Sequence, residues 1–243
     1  MSLLVSSQTL VTEVARSEAR AVERFGGKAV SLARLQAFGL AVPPFFVITA
    51  DAYRLALDAA DLRGAEPAVL HRRLLDIELP PGLGDDLARA CRFTFDDGAW
   101  LAVRSSGLEE DGDDASFAGV HDSFLFVRGR RRLLDAVRRV WASVHGPRAT
   151  AYRTQRGLPP CAGVAVVIQR MVRAERSGVL FTADPGSGDV HRQVVGAVYG
   201  AGEGLVGRGF AADTFSVTKG TKPRIVDRRI EVKDQMLVHN PSQ

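Results

Sequence analysis

The chain has 243 residues, of which 46% are hydrophobic and 25% are charged, with a formal net charge of +4. This length and apolar content are enough for one large domain or two smaller ones. The mild charge, the absence of an apolar run near the roughly 20 residues of a membrane span and the acidic N-terminal region argue against nucleic-acid, membrane and secreted classes, so we expect a cytoplasmic protein.

The first predicted helix follows a glycine pair and a lysine, Gly26 to Lys28. Apolar residues recur at helical spacing over residues 29–38, and Gly39 is a natural helix stop. The glycines and Lys28 then lie at a helix N-terminus, where backbone amides and the helix dipole favour an anion. Lys28 is also the only lysine among the first two hundred residues, and its ammonium would act as a point charge on a phosphate. The alternative is that the two glycines simply form a turn.

The next part of the chain predicts one strand and then mainly helices. The run FFVIT after Pro43 and Pro44 is a strand candidate, and residues 51–60 form a helical pattern capped by Thr49 or Asp51. Residues 61–99 are expected to be mostly helical, with a break at the Pro-Pro-Gly of residues 80–82.

The next segment, residues 102–124, has a composition that suits phosphate binding; its sequence is AVRSSGLEEDGDDASFAGVHDSF. We expect a short buried strand to end near Arg104, so that Arg104, Ser105 and Ser106 emerge at the start of a loop. A guanidinium and hydroxyls suit an anion, and the small residues 113–119 could bring backbone amides close to phosphate oxygens. Alternatively, Arg104 is an ordinary ion-paired arginine and the serines belong to a turn.

Further strands are predicted over residues 123–127, 164–169 and 177–182, and helices over 133–144 and 148–156. We expect the strands over 164–169 and 177–182 to pair as a hairpin. The end of the first of these, with Gln169 and Met171, suits a flat heterocycle such as adenine, although a buried core hairpin is the plainer reading.

Several other chemistries do not match the sequence. The acidic run of residues 109–114 lacks calcium-loop spacing, and Cys91 and Cys161 show no disulfide or zinc pattern. The basic cluster of residues 128–132 is interpreted as a solvated helix start. The glycine-rich run of residues 199–209, with Glu203 in its middle, is expected to be a turn-rich loop and matches neither GxGxxG nor GxxxxGK[ST].

Four ordered blocks resemble the N-terminal nucleotide-binding domain of the pyruvate phosphate dikinase and phosphoenolpyruvate synthase family, whose ATP-grasp fold also occurs in rifampin phosphotransferase. The resemblance implies an α/β (α+β) fold with nucleotide between two lobes. These would be an N-terminal lobe over 1–160 and an incomplete second lobe over 161–243 built on the predicted hairpin. The blocks cover residues 26–53, 102–127, 165–185 and 200–217.

The resemblance also implies roles for particular residues. Lys28 and Arg104 would hold ATP phosphates and act as the catalytic pair, while Gly119 and Ser123 approach the nucleotide. Gln169 would lie at the adenine. Met171, from the same strand end, and Glu203, from the glycine-rich loop, complete the candidate nucleotide-binding set.

The function implied is that of an ATP-dependent phosphotransferase, which passes phosphate to a histidine on a carrier domain of the same longer chain. Since nothing after Val217 matches the family segment whose glutamate and glutamine hold Mg²⁺, we expect a fragment that is inactive alone, with metal ligands beyond residue 243. The alternatives are the ATP domain of a rifampin-type antibiotic phosphotransferase and a non-catalytic nucleotide-binding module.

Overall fold

The computed structural model describes residues 10–13, 21–108 and 122–239. The chain divides between Met171 and Val172 into two compact units, each with its own antiparallel sheet. Helices flank the first sheet, so the fold is of the mixed α+β class. Among the described residues, no helix is long and apolar enough to cross a membrane.

The first unit alternates strands with helices along the chain. The predicted strand FFVIT, the two helices on either side of the Pro-Pro-Gly break and the helix ending before Gly39 are all confirmed. In chain order the elements are β1 (Val11–Thr12), α1 (Ala21–Ala37), β2 (Phe45–Ile48), α2 (Ala50–Ala59), α3 (Pro67–Leu74), α4 (Leu83–Thr94), β3 (Leu101–Gly107), β4 (Ser123–Val127), α5 (Arg130–Ser143), α6 (Pro147–Arg156) and β5 (Val164–Arg170).

The first sheet has five strands in the order β1-β2-β5-β3-β4, all antiparallel. Because successive strand residues point to opposite faces, each strand contributes to two different environments. One face carries Val103, Val166 and Ile168 into a large apolar core that includes Tyr53 and Trp141. We call this the core face.

The other face of the same sheet is covered by α1, and we call it the α1 face. Ala165 and Val167 of β5 pack there with Phe25 and Ala29 of α1 in a much smaller apolar cluster. The two faces therefore divide the first unit into a large hydrophobic core and a thin layer in which polar side chains also lie.

Strand β3 is longer than the sequence predicts. The expected loop at Ser105 and Ser106 is wrong, because both residues continue the strand and are buried, at 1% and 0% exposure. The reason is long-range pairing: β5 lies alongside β3 as far as the pair Gly107 and Val164. A partner strand satisfies these backbone groups, so the strand need not end where the local sequence becomes polar.

The second unit is a four-stranded antiparallel sheet whose strands lie in chain order. Its short helix α7 replaces part of the turn-rich loop expected over residues 199–209. The elements are β6 (Arg176–Phe181), β7 (Arg192–Tyr199), α7 (Glu203–Val206), β8 (Asp213–Thr218) and β9 (Ile225–Arg229).

The predicted hairpin between residues 164–169 and 177–182 is wrong. Both strands exist, but β5 pairs with β2 and β3, whereas β6 pairs with β7 in the other sheet. Strand β5 is central, so both of its hydrogen-bonding edges are occupied and none is left for β6. The lobe boundary expected after residue 160 relies on this hairpin. In the structure, β5 belongs to the first compact unit.

Candidate functional site

The glycine pair breaks α1 and restarts it just before Lys28. Gly26 has φ 74° and ψ 163°, outside the helical region, so a new helical segment begins at Gly27. A Cβ built on Gly26 would overlap the carbonyl and the hydroxyl of Ser106. Only glycine therefore meets both the backbone angle and the close approach of α1 to β3, and the predicted helix start at the glycine pair is confirmed.

Two hydrogen bonds fix Lys28 and its helix against β3. The Lys28 ammonium donates to the carbonyl of Ser105 over 2.6 Å, and the backbone N–H of Ala29 donates to Ser106 Oγ over 3.1 Å. The Ser106 hydroxyl thus satisfies one of the amides at the helix start, which otherwise lack intrahelical partners. The serines position the lysine segment, and they do so from within β3 rather than from the loop expected there.

Arg104, Ser123 and Gln169 share the α1 face of the sheet. Arg104 is opposite Ser123 on β4 and opposite Val167 on β5, and directly paired residues of antiparallel strands point to the same side. Gln169 follows Val167 by two residues and therefore points to that side too. Arg104 is half-buried and Ser123 is exposed. Since Lys28 contacts the residue next to Arg104, two cations converge on one polar patch.

The end of β5 brings Gln169 and Met171 into a fixed arrangement. Gln169 is 8% exposed, and its Nε2 donates to the carbonyl of Pro43 over 3.3 Å. The Met171 N–H donates to the carbonyl of Trp100 over 2.8 Å. The Gln169 side chain and the Met171 backbone are thus held at the end of the central strand, beside the polar patch of the α1 face.

Phe126 is a residue that the sequence interpretation missed. The pairing of β3 with β4 shifts register near it, and Phe126 has φ 55°, which is rare for a bulky side chain. Its N–H donates to Met171 Sδ over 2.9 Å. A bulge in β4 therefore helps to hold Met171, and no local sequence signal marks it.

Two predicted site residues are not among those that the structure describes in the first unit. Gly119 lies outside the described residues. Glu203 belongs to the second unit, where it opens α7 and its carbonyl accepts the N–H groups of Gly207 and Arg208. The structure thus brings Lys28, Arg104, Ser123, Gln169 and Met171 together in the first unit.

A polar cluster in the second unit centres on Lys233. Its ammonium, on a side chain only 8% exposed, donates to Asp213, which also accepts the N–H of Glu231 over 3.0 Å. The ammonium lies 5.6 Å from the Tyr199 ring centroid. The hydrogen bond from Lys233 holds the pKa of Asp213 below its usual value. Sequence reasoning missed Lys233, although its rarity as one of four lysines was a usable signal.

The described residues do not provide a metal centre. In ranges 10–13, 21–108 and 122–239, no group of three or more His, Cys, Asp or Glu residues is arranged to hold a metal ion. The donor set that the structure does present is cationic and suits an anion.

A helix that restarts at a glycine pair thus packs its lysine against a sheet that carries an arginine, within a domain of the α+β class. Residues 22–243 match the family model described as the pyruvate phosphate dikinase, AMP/ATP-binding domain. The chain belongs to this family. The match extends to residue 243, beyond the last of the four sequence blocks at Val217.

Curated relatives are similar over most of the chain. The prodigiosin synthesizing transferase PigC of Serratia marcescens is 38% identical over 96% of this chain and 26% of its own length. A probable phosphoenolpyruvate synthase of Methanocaldococcus jannaschii is 35% identical over 89% of this chain and 20% of its own. The phosphoenolpyruvate synthase of Aeropyrum pernix is 32% identical over 89% of this chain and 29% of its own. The chain thus spans between a fifth and a third of each relative's length.

Proposed function

We propose that this chain is the ATP-binding module of a phosphotransferase of the phosphoenolpyruvate synthase type. In the longer protein it would transfer a phosphoryl group from ATP to a histidine on a carrier domain. The observation that carries the proposal is the placement of the Lys28 ammonium against β3, at the carbonyl of the residue next to Arg104. The family match and the phosphoenolpyruvate synthase relatives support the choice of ATP.

In this proposal Lys28 and Arg104 bind the phosphates with different geometries. The Lys28 ammonium acts as a compact point charge, whereas the planar Arg104 guanidinium can donate two parallel hydrogen bonds. Both cations are anchored on a rigid strand and the start of a helix, so little rearrangement is needed when negative charge develops on the transferred group. Phosphoryl transfer depends mainly on such positioning and charge stabilisation.

The adenine is proposed to bind at the end of β5. Gln169 offers a nearly buried amide, and Met171 offers a polarisable apolar surface that suits a flat ring. Ser123, exposed and opposite Arg104, would donate a hydroxyl to the nucleotide, and Gly119 and Glu203 are further proposed contacts. We further propose that the two compact units are the two lobes of an ATP-grasp fold.

Calorimetric titration of ATP, with Mg²⁺ in the buffer, into the 243-residue chain tests this proposal. Lys28→Ala and Arg104→Gln should each weaken binding by about ten- to a hundredfold, since a hydrogen bond to a charged group contributes about 1.5–3 kcal/mol. Matched controls are Lys219→Ala and Arg72→Gln, which remove the same charges from exposed positions. If all four variants bind ATP equally well, the proposed phosphate site is wrong.

A second candidate function is an ATP module in a transferase that acts on a small organic acceptor. The similarity to the prodigiosin synthesizing transferase PigC favours it. The two candidates share the ATP site and differ in where the phosphoryl group goes. With the longer protein and radiolabelled ATP, acid-labile label on a histidine supports the first candidate, and label that appears only on a small molecule supports the second.

A further inference from the structure

A cavity of about 510 Å³ lies in the first unit, between α2, α3, α6 and the segment that leads into β5. Its volume falls within the range of about 300–1,000 Å³ that is typical of small-molecule sites. None of the residues proposed for ATP binding lines this cavity. It is therefore separate from the polar patch of the α1 face, and the proposed phosphotransfer does not use it.

Much of the wall of this cavity is apolar. Leu57, Leu70 and Val144 line it, and each is at most 9% exposed and belongs to the large apolar cluster on the core face. Leu158 and Pro160, which are more exposed, add further apolar surface. Removal of such surface from water is favourable, so a ligand with an apolar body gains free energy by filling the cavity.

Three neutral hydrogen-bonding residues of the lining are grouped together. Tyr53 Oη and His145 Nε2 share a hydrogen bond of 2.6 Å, and Thr150 Oγ1 donates to the carbonyl of His145 over 3.3 Å. Tyr53 and His145 are at most 5% exposed. Burial raises the pKa of Tyr53, so the phenol keeps its proton and stays neutral. Phenol and hydroxyl oxygens have further lone pairs, so this region can accept a hydrogen bond from a ligand.

The charges in and around the lining balance. Among the described residues, three arginines and one glutamate line the cavity, and two of the arginines form ion pairs with aspartates that are not lining residues. These pairs are Arg54 with Asp51 and Arg63 with Asp58. The other two charged residues, Arg153 and Glu66, have opposite signs. A charged ligand would lose its hydration without meeting a net opposite charge, so a neutral ligand is favoured.

We propose that this cavity is a second ligand site, which binds a small neutral organic molecule. The apolar body of the ligand packs against Leu57 and Leu70, and an amide or hydroxyl group on it forms hydrogen bonds with the neutral polar groups around His145. An apolar wall with a few buried polar groups is the usual composition of a small-molecule site. The proposal does not depend on ATP binding at the α1 face, because the two sites share no residue.

Amide-detected NMR titration of the 243-residue chain at neutral pH tests the proposal with three probes of nearly the same size and shape. Benzamide is neutral, benzoate is its anionic counterpart and benzamidinium is its cationic counterpart. Benzamide should bind with a Kd of about 1 mM or tighter and about tenfold more tightly than either ion, with shifts at residues of the cavity wall. An ion that binds in the cavity as tightly as benzamide, or more tightly, would overturn the proposal.

Two tryptophan variants locate the binding. Ala162 is an exposed residue of the lining, so Ala162→Trp should fill part of the cavity, remove no side-chain hydrogen bond and weaken benzamide binding at least about tenfold. Ala151→Trp is the matched control, at an exposed residue of α6 that does not line the cavity. It should leave the affinity unchanged within about twofold. If Ala162→Trp does not fold, Thr154→Trp replaces it, at another exposed residue of the lining.

Saturating ATP should leave the affinity for benzamide unchanged within about twofold, because the two sites share no residue. This result holds whether or not the chain binds ATP, so it separates the cavity from the proposed nucleotide site. The proposal is overturned if benzamide does not bind the folded chain, if the lining variant and Ala151→Trp bind it equally well, or if ATP displaces it.

Discussion

The two faces of the five-stranded sheet are built from alternate residues of the same strands, yet they differ in almost every respect. The core face buries large side chains such as Trp141 and Leu74 under α2 to α5. The α1 face buries a smaller apolar cluster that includes Phe25 and Phe45, and it carries Arg104, Ser123 and Gln169 beside that cluster. One strand thus contributes Ile168 to the core and, at the next position, Gln169 to the candidate site.

This difference between the two faces assigns stability mainly to the core face and ligand binding to the α1 face. Burial of apolar area on the core face supplies most of the favourable free energy of folding in the first unit. The α1 face can then place charges where a ligand needs them, because the opposite side of each strand holds the sheet in place. Substitutions on the two faces should therefore separate into effects on unfolding and effects on ATP affinity.

The largest stability effect is expected on the core face, at Trp141. This side chain is fully buried, and its ring meets that of Tyr53 edge-on at 5.8 Å. Trp141→Ala should lower the free energy of unfolding by about 3–5 kcal/mol and leave the ATP affinity of the folded protein unchanged within about twofold. Urea denaturation and calorimetry measure the two quantities. Phe93→Ala, at a side chain 85% exposed, is the control and should cost under about 0.5 kcal/mol. A large loss of ATP affinity with unchanged stability would contradict the separation of roles between the two faces.

Gly26→Ala tests the contact between α1 and β3. The added methyl group would overlap Ser106 at a backbone angle that disfavours any side chain, so we expect a loss of about 2–5 kcal/mol in unfolding free energy together with much weaker ATP binding. Gly39→Ala is the matched control, because Gly39 has φ 79° with no heavy atom within 4 Å of the added methyl group. It should cost only the backbone strain, about 1–2 kcal/mol, and spare ATP binding. Equal costs for the two variants would show that close packing does not matter at Gly26.

Ser106→Ala should weaken ATP binding by a smaller factor, because it acts indirectly, through the position of Lys28. It removes the acceptor of the Ala29 N–H, which costs about 1–3 kcal/mol for a buried unsatisfied group and loosens the lysine segment. We expect ATP affinity to fall several-fold, by less than in Lys28→Ala. Thr154→Ala, which removes a hydroxyl that donates to the carbonyl of Thr150 over 3.0 Å on α6, should leave ATP affinity unaltered. Identical ATP affinities in Ser106→Ala and Thr154→Ala would contradict the positioning role.

The smallest effect concerns Asp213 in the second unit, outside both faces. Its pKa is lowered mainly by the hydrogen bond from Lys233, so its contribution to stability is present above its ordinary pKa of about 3.9 and is lost as pH falls through the lower folded value. NMR titration of the Asp213 carboxyl should give a midpoint below about 3.9, and Lys233→Met should move it upward. A titration midpoint that is the same with and without Lys233→Met would contradict the contact between Lys233 and Asp213.

The parts of the fold that the sequence predicted are those with local causes. Paired glycines break a helix wherever they occur, so Gly26 and Lys28 could be placed at a helix start, and Gly39 at a helix end, without tertiary information. A continuous apolar run likewise predicted β5 and placed Gln169 at its end. The same local signals single out Lys28 at a helix start, whereas the strand end expected near Arg104 lies inside β3.

The predictions that are wrong concern residues whose structure depends on partners distant in the chain. Ser105 and Ser106 lie in a strand because β5 pairs with them, and the hairpin of β5 with β6 fails because β5 already has two neighbours. The bulge at Phe126 and the contact of Lys233 with Asp213 arise from tertiary packing. Local sequence patterns do not determine which two strands pair with each other in a sheet.

Amide-resolved NMR titration of the chain with ATP and Mg²⁺ reports on both faces of one sheet in a single experiment. We expect shifts concentrated at Gly27, Lys28, Arg104 and Gln169, with those of Val103 and Ile168 smaller and the Trp141 indole unchanged. Shifts confined to the core face and its helices, with the Lys28 segment unaffected, would contradict the assignment of nucleotide binding to the α1 face.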